Sequence, residues 1–252
     1  MTSNGPINGA RTKGRHASEA QASCPALEQG HLHEIHSQAA DRAAALAFAL
    51  TQGALAGAGA IFALRTPRRQ RLPTLFSGDG LALLGIEPSR LTIVETRTEV
   101  DMLRAGLEAA RCPGVAGVLM ESEGRFADYD LTASRRLVLA AEASGACIIL
   151  LRSDAEPRSS GAQTRWTIKS APSVALEADA PGWPAIEAEL LRCRGGPAGA
   201  RWRLTWDSEG GCFRDADGTD AGGQAPLPGA VVPFSRLRTD AGDDGADQRQ
   251  VA

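Results

Sequence analysis

The sequence predicts an α/β fold: a mostly parallel sheet with helices on both faces, ending in antiparallel strands. Three observations carry that expectation. Uninterrupted apolar runs at 58–64, 115–120 and 147–151 read as strands covered on both faces of a sheet. Helical stretches at 98–111 and 131–143 lie between such runs, and alternation of this kind implies parallel strands joined by crossover helices. After Ser153 the alternation stops, and strand-like segments follow one another without intervening helices, as antiparallel strands do.

Taken in order, residues 1–26 are polar and too poor in apolar side chains to order themselves. They also lack the apolar stretch of a secretory signal. A short strand is expected over 32–35. Residues 36–40 join it to a helix that starts at Asp41, runs to about 56 and is apolar nearly all round, which marks it as buried. The 22 residues 43–64 carry no charge, a length that would span a bilayer. They are mostly Ala and Gly, however, with Thr51 and Gln52 in the middle and Gly53, Gly57 and Gly59 after them. A buried helix, a turn and a buried strand over 58–64 fit better.

Four arginines follow, Arg65, Arg68, Arg69 and Arg71, in a loop marked by Pro67 and Pro73. It is either a solvated loop or an electrostatic contact to an acidic partner or DNA. A short helix at 80–84 stops at Gly85, and a strand covers 91–95. The amphipathic helix 98–111 places Val100, Leu103 and Leu107 on one face and ends at Pro113 and Gly114. The strand 115–120 is closed by Glu121. Asp130 caps the helix 131–143, whose apolar face includes Leu137, Leu139 and Ala140 or Ala141, and Gly145 ends it. The fifth strand is 147–151.

Beyond it, 165–170 reads as a strand, and 186–194 with 201–206 as a hairpin closed by GGPAG. In the last strand Trp202, Leu204 and Trp206 alternate with Arg201, Arg203 and Thr205, giving one buried and one polar face. From Arg214 the chain is mostly Asp, Gly and Ala. Only 226–237, PLPGAVVPFSRL, is apolar there. Two readings stay open for it: it packs back on the domain, or it is a short partner-binding peptide. The expected organisation is thus one domain over 27–213 between tails at 1–26 and 214–252.

Composition narrows the function classes. Aromatic residues make up 4% of the chain, so the core is expected to be built from Ala, Leu, Val and Ile. A net charge of −3 argues against a chain whose main task is coating nucleic acid, because such binding rests on neutralising phosphates. The five cysteines are scattered, with no C-x-x-C pair, as befits reduced, mostly buried thiols in the cytoplasm.

The stretch around which the chain is organised is 30–50, GHLHEIHSQAADRAAALAFAL. A strand running through a short loop into a helix is the frame of a phosphate-binding loop. That loop needs glycines so that backbone N–H groups can wrap phosphate, a Lys to reach it, and a Ser or Thr to hold Mg²⁺. The eight residues from Ser37 to Ala44 hold no Gly and no Lys. Where the pattern would end in Gly-Lys-Thr stand Arg42, Ala43 and Ala44. Asp41 places a negative charge where phosphate would sit and is expected to cap the free N–H groups itself.

Other chemistry is equally thin. Glu121 stands near the place of a Mg²⁺-binding carboxylate, with Glu123 beyond it; the plainer reading is a carboxylate at a strand end. His31, His33 and His36 are close in sequence but lack evident third and fourth ligands for zinc. No nucleophile-elbow motif is present. No catalytic residue, metal or cofactor is therefore assigned, and the chain is not expected to be an enzyme.

Several segments resemble the RecA-like core, and more closely the ImuA family of damage-inducible mutagenesis proteins. They are HLHEIHSQAADRAAALAFAL, GLALLGIEPSRL, ETRTEVDMLRAGLEAARC, DLTASRRLVLAAEASG, and GAQTRW running on to LRCRGGPAGARWRLTWD. Together they span 27–213, and DLTASRRLVLAAEASG and RGGPAGARWRLTWD are the most specific. The resemblance implies a degenerate RecA-like domain. It also implies an accessory role in SOS-induced, error-prone translesion synthesis, alongside an ImuB-like relative of Y-family polymerases and an error-prone C-family DNA polymerase. RecA is a further candidate partner. The two loops that bind DNA in RecA-like recombinases correspond to 122–130 and 153–164, which are short and carry little positive charge beyond Arg125, Arg152 and Arg158, so DNA contact is expected to be indirect. The expected partner contacts are Arg65, Arg68, Arg69 and Arg71, then Arg192, Arg194, Arg201, Arg203 and Phe234. Two alternatives stand beside this reading. One is a cell-division inhibitor like SulA, itself a degenerate RecA-like protein, which the RGGPAGARWRLTWD segment disfavours. The other is a weak NTPase with a non-standard phosphate loop.

Overall fold

The computed structural model describes residues 24–53, 55, 58–67 and 76–216. Its elements are β1 (Leu32–Ser37), α1 (Arg42–Thr51), β2 (Ala60–Arg65), α2 (Gly78–Leu83), β3 (Leu91–Glu95), α3 (Glu99–Arg111), β4 (Val115–Glu123), α4 (Leu131–Ser144), β5 (Cys147–Ser153), β6 (Thr164–Ala171), β7 (Ala185–Cys193), β8 (Arg201–Asp207) and β9 (Cys212–Asp215). The strands form one sheet in the order β3-β2-β4-β5-β1-β6-β7-β8-β9. The pairs from β3 across to β6 are parallel, and β7, β8 and β9 continue the sheet antiparallel. The uncharged run 43–64 divides between α1 and β2, and among the described residues no helix is long and apolar enough to cross a membrane.

Local chemistry sets the helix ends. Thr98 accepts the Asp101 N–H at 3.1 Å and returns its hydroxyl to the Asp101 carboxylate at 2.7 Å, a reciprocal cap that starts α3. Asp130 accepts the Ala133 N–H at 2.7 Å to start α4, and Gly145 ends it in the left-handed region at φ +79°, where glycine carries no Cβ penalty. The buried face of α4 is Ser134, Leu137, Ala140 and Ala141. Leu139, expected on that face, is 65% exposed: two positions past Leu137 it has turned about 200° around the helix.

The pleat sorts the core into two layers. Ile35, Ile149 and Leu119 face α1, joined by Phe48, Ala49 and Leu27. Leu32, Ile148, Leu150, Val118 and Met120 face α3 and α4, joined by Met102, Leu137 and Ala141. Packing of α3 on β4 is close at Gly106, where a Cβ would lie 2.6 Å from the Met120 sulfur.

The antiparallel extension departs from the expected aliphatic core. Trp166 packs against Phe48 at 5.3 Å between ring centroids and against Trp202 at 5.7 Å, and Trp206 meets Phe213 edge-on at 5.3 Å. Each such pair contributes about 0.5–1.5 kcal/mol beyond area burial. Phe48, Trp166, Trp202, Trp206 and Phe213 all belong to the core layer that α1 shares with β6, β8 and β9. The ninth strand was not anticipated, because CFRD offers one large apolar side chain and no alternation to read. Of the expected tails at 1–26 and 214–252, residues 1–23 and 217–252 lie outside the described residues, and β9 runs to Asp215, past the expected domain end.

Candidate functional site

Because β1, β2, β4, β5 and β6 are parallel, the loops that follow β1, β4, β5 and β6 leave the same edge of the sheet: 38–41, 124–130, 154–163 and 172–184. Ligands of open α/β sheets bind at such an edge, outside the carboxyl ends of the strands.

The loop after β1 is a 3₁₀ turn, Ala39–Asp41. No residue from Ser37 to Ala44 has positive φ, so the alternating right- and left-handed backbone that makes an anion nest is missing. Two of its N–H groups are also engaged. Ala39 N–H donates to Asp154 Oδ1 at 2.9 Å, and Asp41 N–H donates to the Gln38 carbonyl at 3.0 Å. The internal carboxylate that meets this loop is therefore Asp154, from the loop after β5.

Asp41 does not cap α1 as expected. Its φ and ψ of −96° and 4° differ from the extended conformation that turns a capping side chain onto its helix. Its Oδ1 instead accepts the Ser170 N–H of β6 at 2.9 Å.

Arg42 closes the rest of the cradle. Its Nη2 lies 2.5 Å from Glu123 Oε2, and its Nε donates to Ser153 Oγ at 3.2 Å. Both ion-pair partners are buried, and Ser37 Oγ approaches Ser153 Oγ at 3.4 Å. The carboxylates at 121 and 123 belong to β4, which runs three residues past the expected end, and Glu121 is buried within it. Ala43 and Ala44 bring no polar side chain to the place where a phosphate loop has Lys and Thr.

On the other side of the sheet lies a second polar knot. Glu34, on β1 and 1% exposed, accepts the Tyr129 hydroxyl at 2.6 Å and Arg165 Nε at 2.6 Å. Arg165 reaches on to the Arg158 carbonyl and, at 3.0 Å, to Ser160 Oγ, tying the 154–163 loop to the sheet. Arg152 stacks over the Tyr129 ring, 5.8 Å from its centroid. Burial alone would raise the Glu34 carboxyl. The His36 ring, the Ser160 and Tyr129 hydroxyls and the Arg165 charge outweigh burial and hold it at about 2. Tyr129 is pushed well above its ordinary value by burial and by the Glu34 charge. The sequence reading missed this knot. Its one signal is a Glu inside the short strand expected over 32–35.

The histidines divide by face. His33 bridges Thr164 Oγ1 at 2.7 Å and the Glu28 carbonyl at 2.9 Å, and His36 Nδ1 meets the Ala155 carbonyl at 3.1 Å. Burial lowers the pKa of His33, which favours a neutral imidazole in that bridge. Among the described residues no group of three or more His, Cys, Asp and Glu side chains is placed to hold a metal ion. Between the loops after β4 and β5 is a cleft of about 180 Å³, lined by Gly124, Arg125, Arg152, Asp154, Glu156 and Arg158 among others. Two carboxylates face three guanidinium groups there.

The expected partner contacts are scattered. Arg65 is not in a loop: it ends β2, is 8% exposed, and donates to Glu95 Oε1 from Nε at 3.1 Å and Nη2 at 2.6 Å. Arg68, Arg69, Arg71 and Phe234 lie outside the described residues. Arg192 donates to the Ser160 carbonyl at 2.9 Å. Arg194 is exposed. Arg201 and Arg203 stand on the uncovered face of β8, the first 3.0 Å from Glu189, the second donating to the Pro172 carbonyl at 2.7 Å. With Lys169 and Glu187 they line a concavity of about 290 Å³.

No protein-family model matches the chain. Two curated relatives, Protein ImuA from two strains of Caulobacter vibrioides, are each 38% identical to it over 136 residues, 50% of this chain and 54% of the relative. Across half its length the chain is similar to ImuA. The chain spans about half the length of these ImuA proteins that it matches. Among solved structures, the RadB recombinase superposes with a TM-score of 0.50 at 14% identity, over 73% of this chain and 90% of that one. The fold shared by the ImuA-like chain and RadB is RecA-like, with a mostly parallel sheet and antiparallel strands at its C-terminal end.

Proposed function

We propose that this protein is a non-catalytic interaction module of damage-induced, error-prone translesion DNA synthesis. Its proposed partners are an ImuB-like relative of Y-family polymerases and an error-prone C-family DNA polymerase, with RecA as a further candidate. The likeness to ImuA supports the pathway. One observation carries the non-catalytic half. The site of a phosphate cradle is filled from within: the Asp154 carboxylate takes the Ala39 N–H, and the Arg42–Glu123 ion pair holds the start of α1 to the end of β4. A nucleotide would have to displace a buried ion pair, whose disruption costs about 3–5 kcal/mol, before gaining any contact of its own.

The pathway is tested by affinity capture of the tagged protein from its own host, with and without DNA damage. Recovery of an ImuB-like polymerase relative, mainly after damage, supports the reading; recovery of the cell-division GTPase, or of no replication or repair protein, overturns it. The non-catalytic half is tested by melting in millimolar ATP or ADP with Mg²⁺. Any ligand of the folded state raises the melting temperature, by about 2.7 kcal/mol of stability at a hundred times Kd. No shift is expected.

A further inference from the structure

The loop between β6 and β7, residues 172–184, leaves the same edge as the closed cradle and presents apolar side chains to solvent. Val174 is 72% exposed, Leu176 50% and Trp183 49%. The other three tryptophans of the chain, Trp166, Trp202 and Trp206, are buried. Exposed apolar residues scattered singly need no explanation; three large ones gathered on one projecting loop do.

The loop is built rather than slack. Arg203 holds its first end through the Pro172 carbonyl at 2.7 Å, and the Trp206 N–H holds its second through the Pro184 carbonyl at 2.8 Å. Across the loop, Leu176 N–H donates to the Ala180 carbonyl at 2.9 Å. Gly182 crosses so close to Val174 that a Cβ there would lie 1.7 Å from the Val174 carbonyl oxygen. At the turn Ala178 and Asp179 both sit at φ +59°, left-handed conformations that cost energy outside glycine and persist only where the surroundings impose them. Strain and exposed apolar area together bring the isolated domain no stability. Both are accounted for when a second protein covers the loop.

The charge of the loop indicates what covers it. Residues 172–184 carry Glu177 and Asp179 and no Lys or Arg. We propose that this loop is the anchor by which the protein docks its polymerase-like partner, inserting Leu176 and Trp183 into an aliphatic pocket whose rim is cationic. The inference rests on the function proposed above and names the contact surface that it leaves open. Trp is among the residue types enriched at interface hot spots, and the carboxylates steer and orient the encounter rather than supply most of the affinity. The cradle edge has then exchanged a nucleotide for a protein.

The test is titration of the full chain against the purified ImuB-like protein, comparing the unmodified protein with Leu176→Glu, Trp183→Glu and Leu139→Glu. Leu139 is as exposed as the loop residues but lies on the outside of α4. The two loop variants are expected to bind at least about ten-fold more weakly, with Leu139→Glu unchanged and all melting temperatures alike. Reversing charge with Glu177→Lys and Asp179→Lys is expected to slow association, and added salt to slow association of the unmodified protein. Equal binding by the loop variants, with the unmodified protein binding well, overturns the anchor and leaves the proposed function standing. No binding by the unmodified protein overturns both. If the loop variants instead abolish self-association seen by sedimentation and leave the partner bound, the loop joins copies of this chain and the proposal is wrong.

Discussion

Two parts of one sheet edge handle their surface groups in opposite ways. Around the loops after β1, β4 and β5, polar and charged side chains turn inward and many pair with one another: Arg42 with Glu123 and Ser153, Asp154 with the Ala39 N–H, Glu34 with Tyr129 and Arg165. Around the loop after β6, apolar side chains turn outward and Val174, Leu176 and Trp183 meet solvent. The first part is where a nucleotide-binding α/β fold keeps its chemistry. At this edge the chain's own charges occupy the polar region, with Arg152 Nε and His36 Nε2 left without a hydrogen-bond partner among the described residues. The comparison predicts that substitutions in the closed part are read in stability and substitutions in the open part in binding.

The largest stability effect is expected at Glu34. Glu34→Gln leaves the Arg165 guanidinium buried without its carboxylate, and breaking such a pair costs about 3–5 kcal/mol. In a domain of this size that is a fall of about 10 °C or more in melting temperature. A loss below about 1 kcal/mol in denaturant titration would mean that water, not Glu34, compensates Arg165.

The same carboxylate predicts a pH dependence. Its folded pKa of about 2 lies below its ordinary 4.5. Stability from that difference is fully present above pH 4.5 and is lost as pH falls through 2. The shift corresponds to roughly 3 kcal/mol. Denaturant midpoints should fall over that window, and Glu34→Gln should flatten the profile. An unchanged profile in the variant would place the acid-sensitive group elsewhere.

The fold was legible in the sequence where burial leaves a periodic or continuous apolar mark. The strand at 91–95 has the expected limits, and the cap of α4 falls on Asp130, a short polar side chain just before a periodic apolar run. The lack of glycine and lysine between Ser37 and Ala44 is likewise a property of the sequence alone. What fills that place was not legible. Asp154 and Ala39 are 115 positions apart, Arg42 and Glu123 81, Glu34 and Arg165 131, and no local pattern announces such pairs. Arg65 was misplaced for a related reason: an arginine beside Pro67 reads as loop, although a strand-end arginine can reach a carboxylate on the next strand, as Arg65 reaches Glu95. The exposed loop after β6 gave no signal, since Val, Leu and Trp in a sequence look the same whether they are covered or displayed.

A smaller effect is expected at Asp154. Asp154→Ala removes the acceptor of the Ala39 N–H and places alanine at φ +50°, for a loss of about 1 kcal/mol; Asp154→Asn tolerates that backbone and should lose less. Because the Arg42–Glu123 pair remains, neither variant should gain a shift in melting temperature with ATP. A shift in Asp154→Ala would show that one carboxylate alone was closing the cradle.

The smallest stability effect is expected in the open loop, and it decides whether the two parts differ in kind. Leu176→Ser and Trp183→Ser remove side chains that are about half exposed, so each should change stability by no more than about 1 kcal/mol. Trp183→Ser should also remove most acrylamide-quenchable tryptophan fluorescence, because Trp166, Trp202 and Trp206 are shielded. A loss of 2 kcal/mol or more in either variant would mean that these side chains pack on the domain in solution. The outward-facing loop would then be another piece of the closed edge, and its exposure would no longer imply a partner.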